Sequence, residues 1–168
     1  LKKEQTKRHG IDTLKYYDEP LLFKSGNADP KGSPEWIINN GKKMYAELSS
    51  ETKEFFNFML DHDLMDLEAK KGKAGGGYCT YISGYKSPFI FSNFNGTSAD
   101  IDVLTHEVGH AFQVYMSRGF EVPEYYWPTS DAAEIHSMSM EYFAYPWMDD
   151  FFAEEADKYR YAHLVESL

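Results

Sequence analysis

Two histidines and a glutamate lie within five residues, His106-Glu107-Val108-Gly109-His110, in a segment whose pattern predicts a helix. Histidines four positions apart in a helix are offset by about 40° around the axis and about 6 Å along it, so both imidazoles can reach one metal ion. Glu107 lies about 100° from His106 and about 60° from His110, where it flanks the metal and can act as a general base. The spacing therefore predicts a site for one Zn²⁺ per chain and the chemistry of peptide-bond hydrolysis.

A catalytic zinc ion usually has three protein ligands, so a third must come from elsewhere in the chain. One common motif continues with Gly and His at positions 113 and 116, but the chain has Gln113 and Met116 there. Glu134 is the best candidate because it lies 24 residues after His110, on the next predicted helix. Glu141 is seven residues further, about 10 Å along the axis, so both glutamates can hardly bind one ion.

The remaining acids and histidines have predicted roles around this site. Asp131 and Glu141 are expected to accept hydrogen bonds from the ligand imidazoles and orient them, and each is an alternative ligand if Glu134 is not one. His136 lies about 200° around the helix from Glu134 and is expected to be a structural residue with its hydrogen bonds satisfied. The other histidines are expected to be ordinary exposed residues: His9, His62 and His163.

Capping residues and periodicity predict the elements that position the site. The chain is expected to be one catalytic segment, mainly α, with a small antiparallel or mixed sheet. Thr97 or Ser98 is expected to cap the motif helix. The predicted order begins with an irregular lead-in over 1–32 and helices over 33–69. A glycine-rich loop and a small sheet follow over 70–94, with strands at 78–83 and 88–94. The zinc-site helices occupy 95–168 and include helices at 131–144 and 147–168.

The glycine-rich loop, residues 70–77, has two interpretations. It is either a mobile connection or a segment that lets a substrate backbone approach closely, because glycine has no side chain to block it. The second interpretation makes Gly76, Gly77 and Tyr78 candidate substrate-binding residues. A phosphate-binding loop is excluded, since the required Gly-Lys-Ser/Thr ending is absent.

Composition narrows the possible partners. The formal net charge of −10 and pI near 5.0 argue against nucleic acid or an anionic membrane. The single cysteine, Cys79, cannot form an internal disulfide, and no stretch reaches the length of a membrane span, so a cytoplasmic location is expected. The chain starts on Leu1 and ends inside an apparent helix, which favours a segment of a longer protein.

Three segments resemble the oligoendopeptidase F branch of the thimet oligopeptidase family: Phe94-Asn95-Gly96-Thr97-Ser98-Ala99-Asp100, the motif with its continuation Ala111-Phe112-Gln113, and Asp131-Ala132-Ala133-Glu134-Ile135-His136-Ser137-Met138-Ser139-Met140-Glu141. The resemblance implies that His106, His110 and Glu134 hold zinc and that Glu107 is the general base. It also implies a zincin-like helical core with a small sheet beside the zinc, whose edge strand binds the backbone of short, unstructured oligopeptides.

The family also suggests what this chain lacks. In the family, the tyrosine and histidine side chains that stabilise the oxyanion come from a region well after the third ligand in sequence. This chain stops 34 residues after Glu134. An isolated, non-catalytic zinc- or peptide-binding segment is therefore the alternative function. An aromatic-lined module that binds sugars or other ligands would explain the 13 Tyr and 12 Phe, but it does not explain why His106, Glu107 and His110 lie on one arc of a helix. The sequence predicts no oligomeric state or cleavage preference.

Overall fold

Helices make up most of the chain in the computed structural model, which describes residues 2–167. This mainly helical architecture with a small mixed sheet confirms the predicted fold class. Within residues 2–167, no helix is both long and apolar enough to cross a membrane. In chain order the elements are α1 (Lys2–His9), α2 (Pro34–Leu48), α3 (Ser50–Asp61), β1 (Met65–Glu68), β2 (Tyr78–Ile82), β3 (Ser87–Phe94), α4 (Ala99–Ser117), α5 (Ser130–Phe143), α6 (Met148–Phe152) and α7 (Ala156–Glu166).

The sheet has β3 at its centre, with β1 on one side and β2 on the other. β1 runs parallel to β3 with Met65 opposite Ile90, and β2 runs antiparallel to β3 with Cys79 opposite Ile90. The two predicted strands correspond to β2 and β3 within a residue or so. Within the described chain β2 pairs on one side only, so its other edge presents unpaired backbone groups.

The region 33–69, predicted to contain helices, also contains a strand at its end that the sequence did not predict. After α3, Asp63 adopts a φ of +53° and the chain turns into β1. The carbonyl of Leu64 accepts a hydrogen bond from the Ile90 backbone N–H at 3.0 Å, and Leu67 joins the core. Four residues are too few for a strand periodicity to show in the sequence, so pairing with β3 decides this element.

The motif helix α4 contacts β2 and β3 through one part of its surface and α5 through another. On its remaining side it meets the α2–α3 pair, where Tyr45 Oη donates to the Leu104 carbonyl at 3.1 Å and the Phe55 and Phe112 rings lie 5.4 Å apart. Apolar side chains of α4 such as Leu104 and Val108 are almost completely buried. A helix held on several sides is a rigid base for the residues that it carries.

The N-terminal cap of α4 differs from the prediction. Neither Thr97 nor Ser98 caps the helix through its side chain. The buried Asp100 carboxylate instead accepts the backbone N–H groups of Asn95 and Gly96, at 2.9 and 2.8 Å. Asp100 thereby fixes the turn that joins β3 to the motif helix.

The predicted irregular lead-in, 1–32, contains a helix. Residues of α1 are strongly polar, and nothing in their periodicity indicates a packed helix. Gln5 is nevertheless buried, and its Nε2 donates to the carbonyls of Asp18, Glu19 and Leu21 at 3.3, 2.9 and 2.8 Å. These tertiary hydrogen bonds hold α1 against the loop that follows it.

The predicted single helix over 147–168 is interrupted. Ala153 adopts a φ of +49°, which ends α6 and starts a short 3₁₀ turn before α7. Phe151 and Phe152 are both fully buried although they are neighbours in sequence. The break redirects the chain so that α7 packs against α6 and brings Tyr159 and His163 into the interior.

Candidate metal centre

His106 and His110 extend from α4 toward Glu134 on α5, and the three side chains meet. The Nε2 atoms of the histidines are 3.2 Å apart, and Glu134 Oε2 lies 3.3 Å from His106 Nε2 and 3.7 Å from His110 Nε2. Three atoms that each lie about 2.0–2.1 Å from a tetrahedral zinc ion are about 3.3–3.4 Å apart. Both the donor types and their spacing therefore fit Zn²⁺.

Close packing of α5 on α4 depends on Gly109. A Cβ atom built on Gly109 would lie 2.7 Å from Ser137 Cα, 3.0 Å from Met140 Cβ and 3.1 Å from the His136 carbonyl oxygen. Nothing larger than a hydrogen atom fits there, because normal carbon–carbon contacts are about 3.5–4.0 Å. The glycine between the two motif histidines thus lets the Glu134 helix come within reach of them.

Ser137 fixes the Glu134 carboxylate. Its Oγ is fully buried one turn after Glu134 and donates to Glu134 Oε2 at 2.9 Å. Half of the Glu134 side chain is exposed, so the carboxylate lies at the edge of the protein where a ligand can enter. The hydrogen bond limits the orientations that this exposed carboxylate can adopt.

Glu141 lies behind His106 and bridges two imidazoles. Its Oε1 is 2.5 Å from His106 Nδ1, and its Oε2 accepts a hydrogen bond from His163 Nε2. Burial by itself would raise the pKa of Glu141, but the hydrogen bonds from His106 and His163 outweigh it and lower the pKa to about 2. The prediction that His163 is an ordinary exposed residue is wrong: it is 7% exposed and contacts Tyr145 as well.

Asp131 does not contact either motif histidine. It is exposed in the first turn of α5, and no hydrogen bond within residues 2–167 joins it to His106 or His110. It lies three residues before Glu134 and therefore nearly a full turn further from the centre of the α4–α5 contact. The prediction that Asp131 orients a ligand imidazole is therefore wrong.

His136 is not one of the three converging residues, as its angular position predicted, but the expectation that its hydrogen bonds are satisfied is wrong, because its ring makes none within residues 2–167. It is exposed and lines an apolar groove of about 740 Å³ between α4, α5 and the 120–128 loop, with Trp127 and Phe143. The Trp127 ring also lies 6.4 Å from that of His110. This groove is separate from the three converging donor atoms.

The two histidines have different electrostatic surroundings. The hydrogen bond with Glu141 raises the pKa of His106, although burial works against it. Burial lowers the pKa of His110, and the neighbouring His106 lowers it further. A metal ligand must present an unprotonated nitrogen, and the Glu141 contact leaves His106 Nε2 free to do so.

Glu107 lies between the motif helix and the edge strand. Its carboxylate is near the backbone N–H of Cys79 in β2, and it is partly buried. The pKa of Glu107 is raised, mainly by burial and also by the charge of Glu134. His106 and the Cys79 N–H lower it in part. A carboxylate with a raised pKa beside a free strand edge has the properties of a proton acceptor for a molecule bound there.

The glycine-rich loop before β2 is held in place rather than loosely connected. Lys73 Nζ donates to the carbonyls of Asp66 and Glu68 at 3.0 and 2.8 Å. Asn93 Nδ2 donates to the carbonyls of Ala74 and Gly76 at 2.9 and 3.0 Å. The loop is therefore tied to β1 and β3 and has a defined shape.

The three candidate substrate-binding residues lie where this loop enters the edge strand. Gly76 has a φ of +98°, which favours glycine, and a Cβ there would meet nothing within 4 Å. Gly77 is exposed, and the exposed Tyr78 ring stacks on Phe91 at 5.1 Å. The space around Gly76 is consistent with close approach of another chain, and its backbone conformation explains the glycine.

A family model described as peptidase family M3 matches residues 42–163, which is most of the chain. The chain belongs to peptidase family M3. All residues of the converging site fall within the matched range. No curated protein matches the chain.

Solved structures agree with this family. A structure assigned as oligoendopeptidase F is 65% identical over 100% of this chain, with a TM-score of 0.96. An oligoendopeptidase F assigned in Bacillus anthracis str. Ames is 70% identical over 98% of the chain, with a TM-score of 0.94. PZ peptidase A in complex with an inhibitor is 66% identical over 99%, with a TM-score of 0.95. The chain spans 30% of the length of each of these proteins, so most of each has no counterpart here.

Three residues of the site were not predicted as part of it. The sequence alone gave no role to Gly109, Ser137 or His163. Gly109 and Ser137 lie on the faces of α4 and α5 that meet, so a prediction of that helix contact would have indicated both. His163 is 22 residues from Glu141 and is brought near it only by the break before α7, a signal that the local sequence does not contain.

Proposed function

We propose that this M3-family chain carries the zinc centre of a metalloendopeptidase that hydrolyses short, unstructured peptides, with Glu107 as the general base. The observation that carries the proposal is the convergence of three donor atoms at spacings that fit one zinc ion, with the Glu107 carboxylate next to them. His106, His110 and Glu134 would hold the ion. When bound, Zn²⁺ polarises a carbonyl group and makes water more acidic.

The chain's own residues supply the remaining steps. Glu107 accepts a proton from the attacking water and passes it to the leaving amine, and its raised pKa favours this exchange. The free edge of β2 binds the substrate backbone as an added strand, next to Glu107. Gly76 and Gly77 leave room for that backbone, and no covalent intermediate with the protein is needed. A cytoplasmic location stays a prediction.

A non-catalytic segment that binds zinc or peptide is the second candidate. It needs only the residues of the converging site, which this chain contains although it spans 30% of the length of the solved relatives. Glu107 favours the enzyme, because a purely structural zinc site has no use for an adjacent base. Hydrolysis of a quenched fluorescent peptide by the chain, with and without a chelator, separates the two candidates.

The variant Glu107→Gln tests the proposed role of the base. We expect it to bind zinc like the wild type and to lose peptide hydrolysis, because the amide cannot accept the proton. Zinc content and cleavage rate are measured on the same preparations. A Glu107→Gln chain that cleaves peptide at the wild-type rate would exclude Glu107 as the base.

The variant Glu134→Ala tests the third ligand. It removes one of three ligands, so zinc occupancy should fall sharply. Asp131→Ala is the matched control, because it removes an exposed carboxylate from the first turn of the same helix that does not contact either histidine. Equal zinc content in the Glu134→Ala variant and the wild type would contradict the assignment.

A further inference from the structure

A polar path, buried at Glu141 and His163, leads from the metal centre to α7. It starts at His106 Nδ1, passes through the two oxygens of Glu141 to His163 Nε2, and continues from His163 Nδ1 to Tyr145 Oη at 2.7 Å. These groups come from α4, α5, α7 and the short turn after α5. The path joins elements that are distant in sequence, since His163 is 57 residues after His106.

The chemistry of the groups fixes the direction of both hydrogen bonds to Glu141. An ionised carboxylate only accepts, so His106 Nδ1–H and His163 Nε2–H both donate to Glu141. The Nδ1 atom of a neutral His163 is then an acceptor, and the Tyr145 hydroxyl donates to it. With its proton on Nδ1, a neutral His106 presents the lone pair of Nε2 toward His110 and Glu134.

The surroundings of His163 hold its ring in one orientation. The ring lies against three tyrosine rings, with centroids 5.4 Å from Tyr142, 5.5 Å from Tyr145 and 5.8 Å from Tyr159. Tyr159 contacts His163 through its ring, whereas its hydroxyl takes no part in the path and donates to the Asp102 carboxylate of α4 at 2.6 Å. A buried imidazole packed on several sides has little freedom to release Glu141.

We propose that His163 is a positioning residue for the metal centre. It holds one oxygen of Glu141 so that the other oxygen fixes the orientation of His106. A carboxylate bonded through one oxygen can rotate about its terminal torsion, whereas donors on both oxygens fix the plane of the group. This inference rests on the proposed zinc site and adds α7 to the elements that build it.

Two substitutions of similar character separate positioning from simple packing. The amide of glutamine reaches about as far as Nε2 of histidine, so His163→Gln can still donate to Glu141. The amide of asparagine is one methylene shorter and reaches only the Nδ1 position, so His163→Asn cannot. Tyr159→Phe is the control for damage to α7, because it removes a buried hydrogen bond of the same helix and leaves the path intact.

The experiment measures zinc affinity of the full chain by competition with a chromogenic chelator, and the unfolding midpoint of each zinc-free variant. We expect His163→Asn to bind zinc about 10-fold more weakly, at the lower end of the loss typical for partners of metal ligands. His163→Gln should bind close to wild-type strength. Tyr159→Phe should lower the unfolding midpoint and leave zinc affinity unchanged.

Each outcome decides the question. Equal zinc affinity in His163→Asn and the wild type overturns the inference while the proposed zinc site stands, and so does an equal loss in His163→Asn and Tyr159→Phe. A wild-type chain that binds no zinc overturns the proposed function and this inference with it. If His163→Asn does not fold, His163→Phe replaces it with the same expectation, because its ring occupies the same space without a donor.

Discussion

A methyl group at position 109 provides a strict test of how the site is built. In Gly109→Ala the new Cβ would lie 2.7 Å from Ser137 Cα and 3.1 Å from the His136 carbonyl oxygen. Both are backbone atoms, so no side-chain rotation removes the clash. Since carbon atoms in contact are about 3.5–4.0 Å apart, α5 must withdraw from α4 by about 1 Å.

Withdrawal of α5 should weaken both zinc binding and the fold, and zinc binding by the larger amount. Metal–ligand distances tolerate only about 0.2 Å, and Glu134 and Ser137 both move with α5. We expect zinc affinity to fall about 10–100-fold, which corresponds to about 1.4–2.7 kcal/mol. For the zinc-free protein, overpacking costs about 1–3 kcal/mol, and the higher helix propensity of alanine offsets about 1 kcal/mol of that.

Chelator competition and thermal unfolding with and without excess zinc measure the two effects separately. The rise in unfolding temperature on zinc addition should be smaller in Gly109→Ala than in the wild type by about 3–10 °C for a chain of this size. Gly119→Ala is the control, because a Cβ there meets nothing within 4 Å. If Gly109→Ala binds zinc as tightly as the wild type, close helix contact is not what brings Glu134 to the histidines.

Two further predictions concern charge and loop anchoring. Burial raises the pKa of the Glu141 carboxyl, but its two imidazole donors outweigh burial and lower the pKa to about 2, below the ordinary 4.5. The ionised carboxylate therefore stabilises the folded chain above about pH 4.5, and this stabilisation is lost as the pH falls toward 2. Glu141→Gln should therefore lower the free energy of unfolding of zinc-free protein at pH 5–6, and a difference in urea unfolding that stays constant down to pH 3 would contradict this. Lys73→Met should speed amide hydrogen exchange in the glycine-rich loop by removing its hydrogen bonds to β1, whereas the exposed Lys71→Met should not; equal rates in both variants would refute the anchoring role.

Patterns within one element were predictable from the sequence. The arc of His106, Glu107 and His110 follows from helix geometry, and the structure places all three on α4. The helix that brings Glu134 to them was also expected, and the site atoms converge as that expectation requires. The sequence also predicted the helices α2 to α5 and the hairpin of β2 and β3. These segments have a strong hydrophobic periodicity, and the secondary structure that it favours is the one found in the fold.

Contacts between distant elements were not predictable from the sequence. Asp131 and Glu141 are both acids on α5, and local pattern gave them the same role, but only Glu141 faces His106. His163 has no local signal because its burial depends on the turn at Ala153. Likewise β1 and α1 form through bonds to partners that lie far along the chain.

The sequence by itself determined the donor types and their arrangement on one helix, because helical periodicity is a local property of the backbone. It also determined the family, since the matched range contains the motif and the following helix. Only the tertiary structure decided which acid lies behind His106 and which distant side chain supports it. Those choices depend on the angle and distance at which α4, α5 and α7 pack, and that packing is set by contacts such as Gly109 against Ser137 rather than by the local sequence of any one helix.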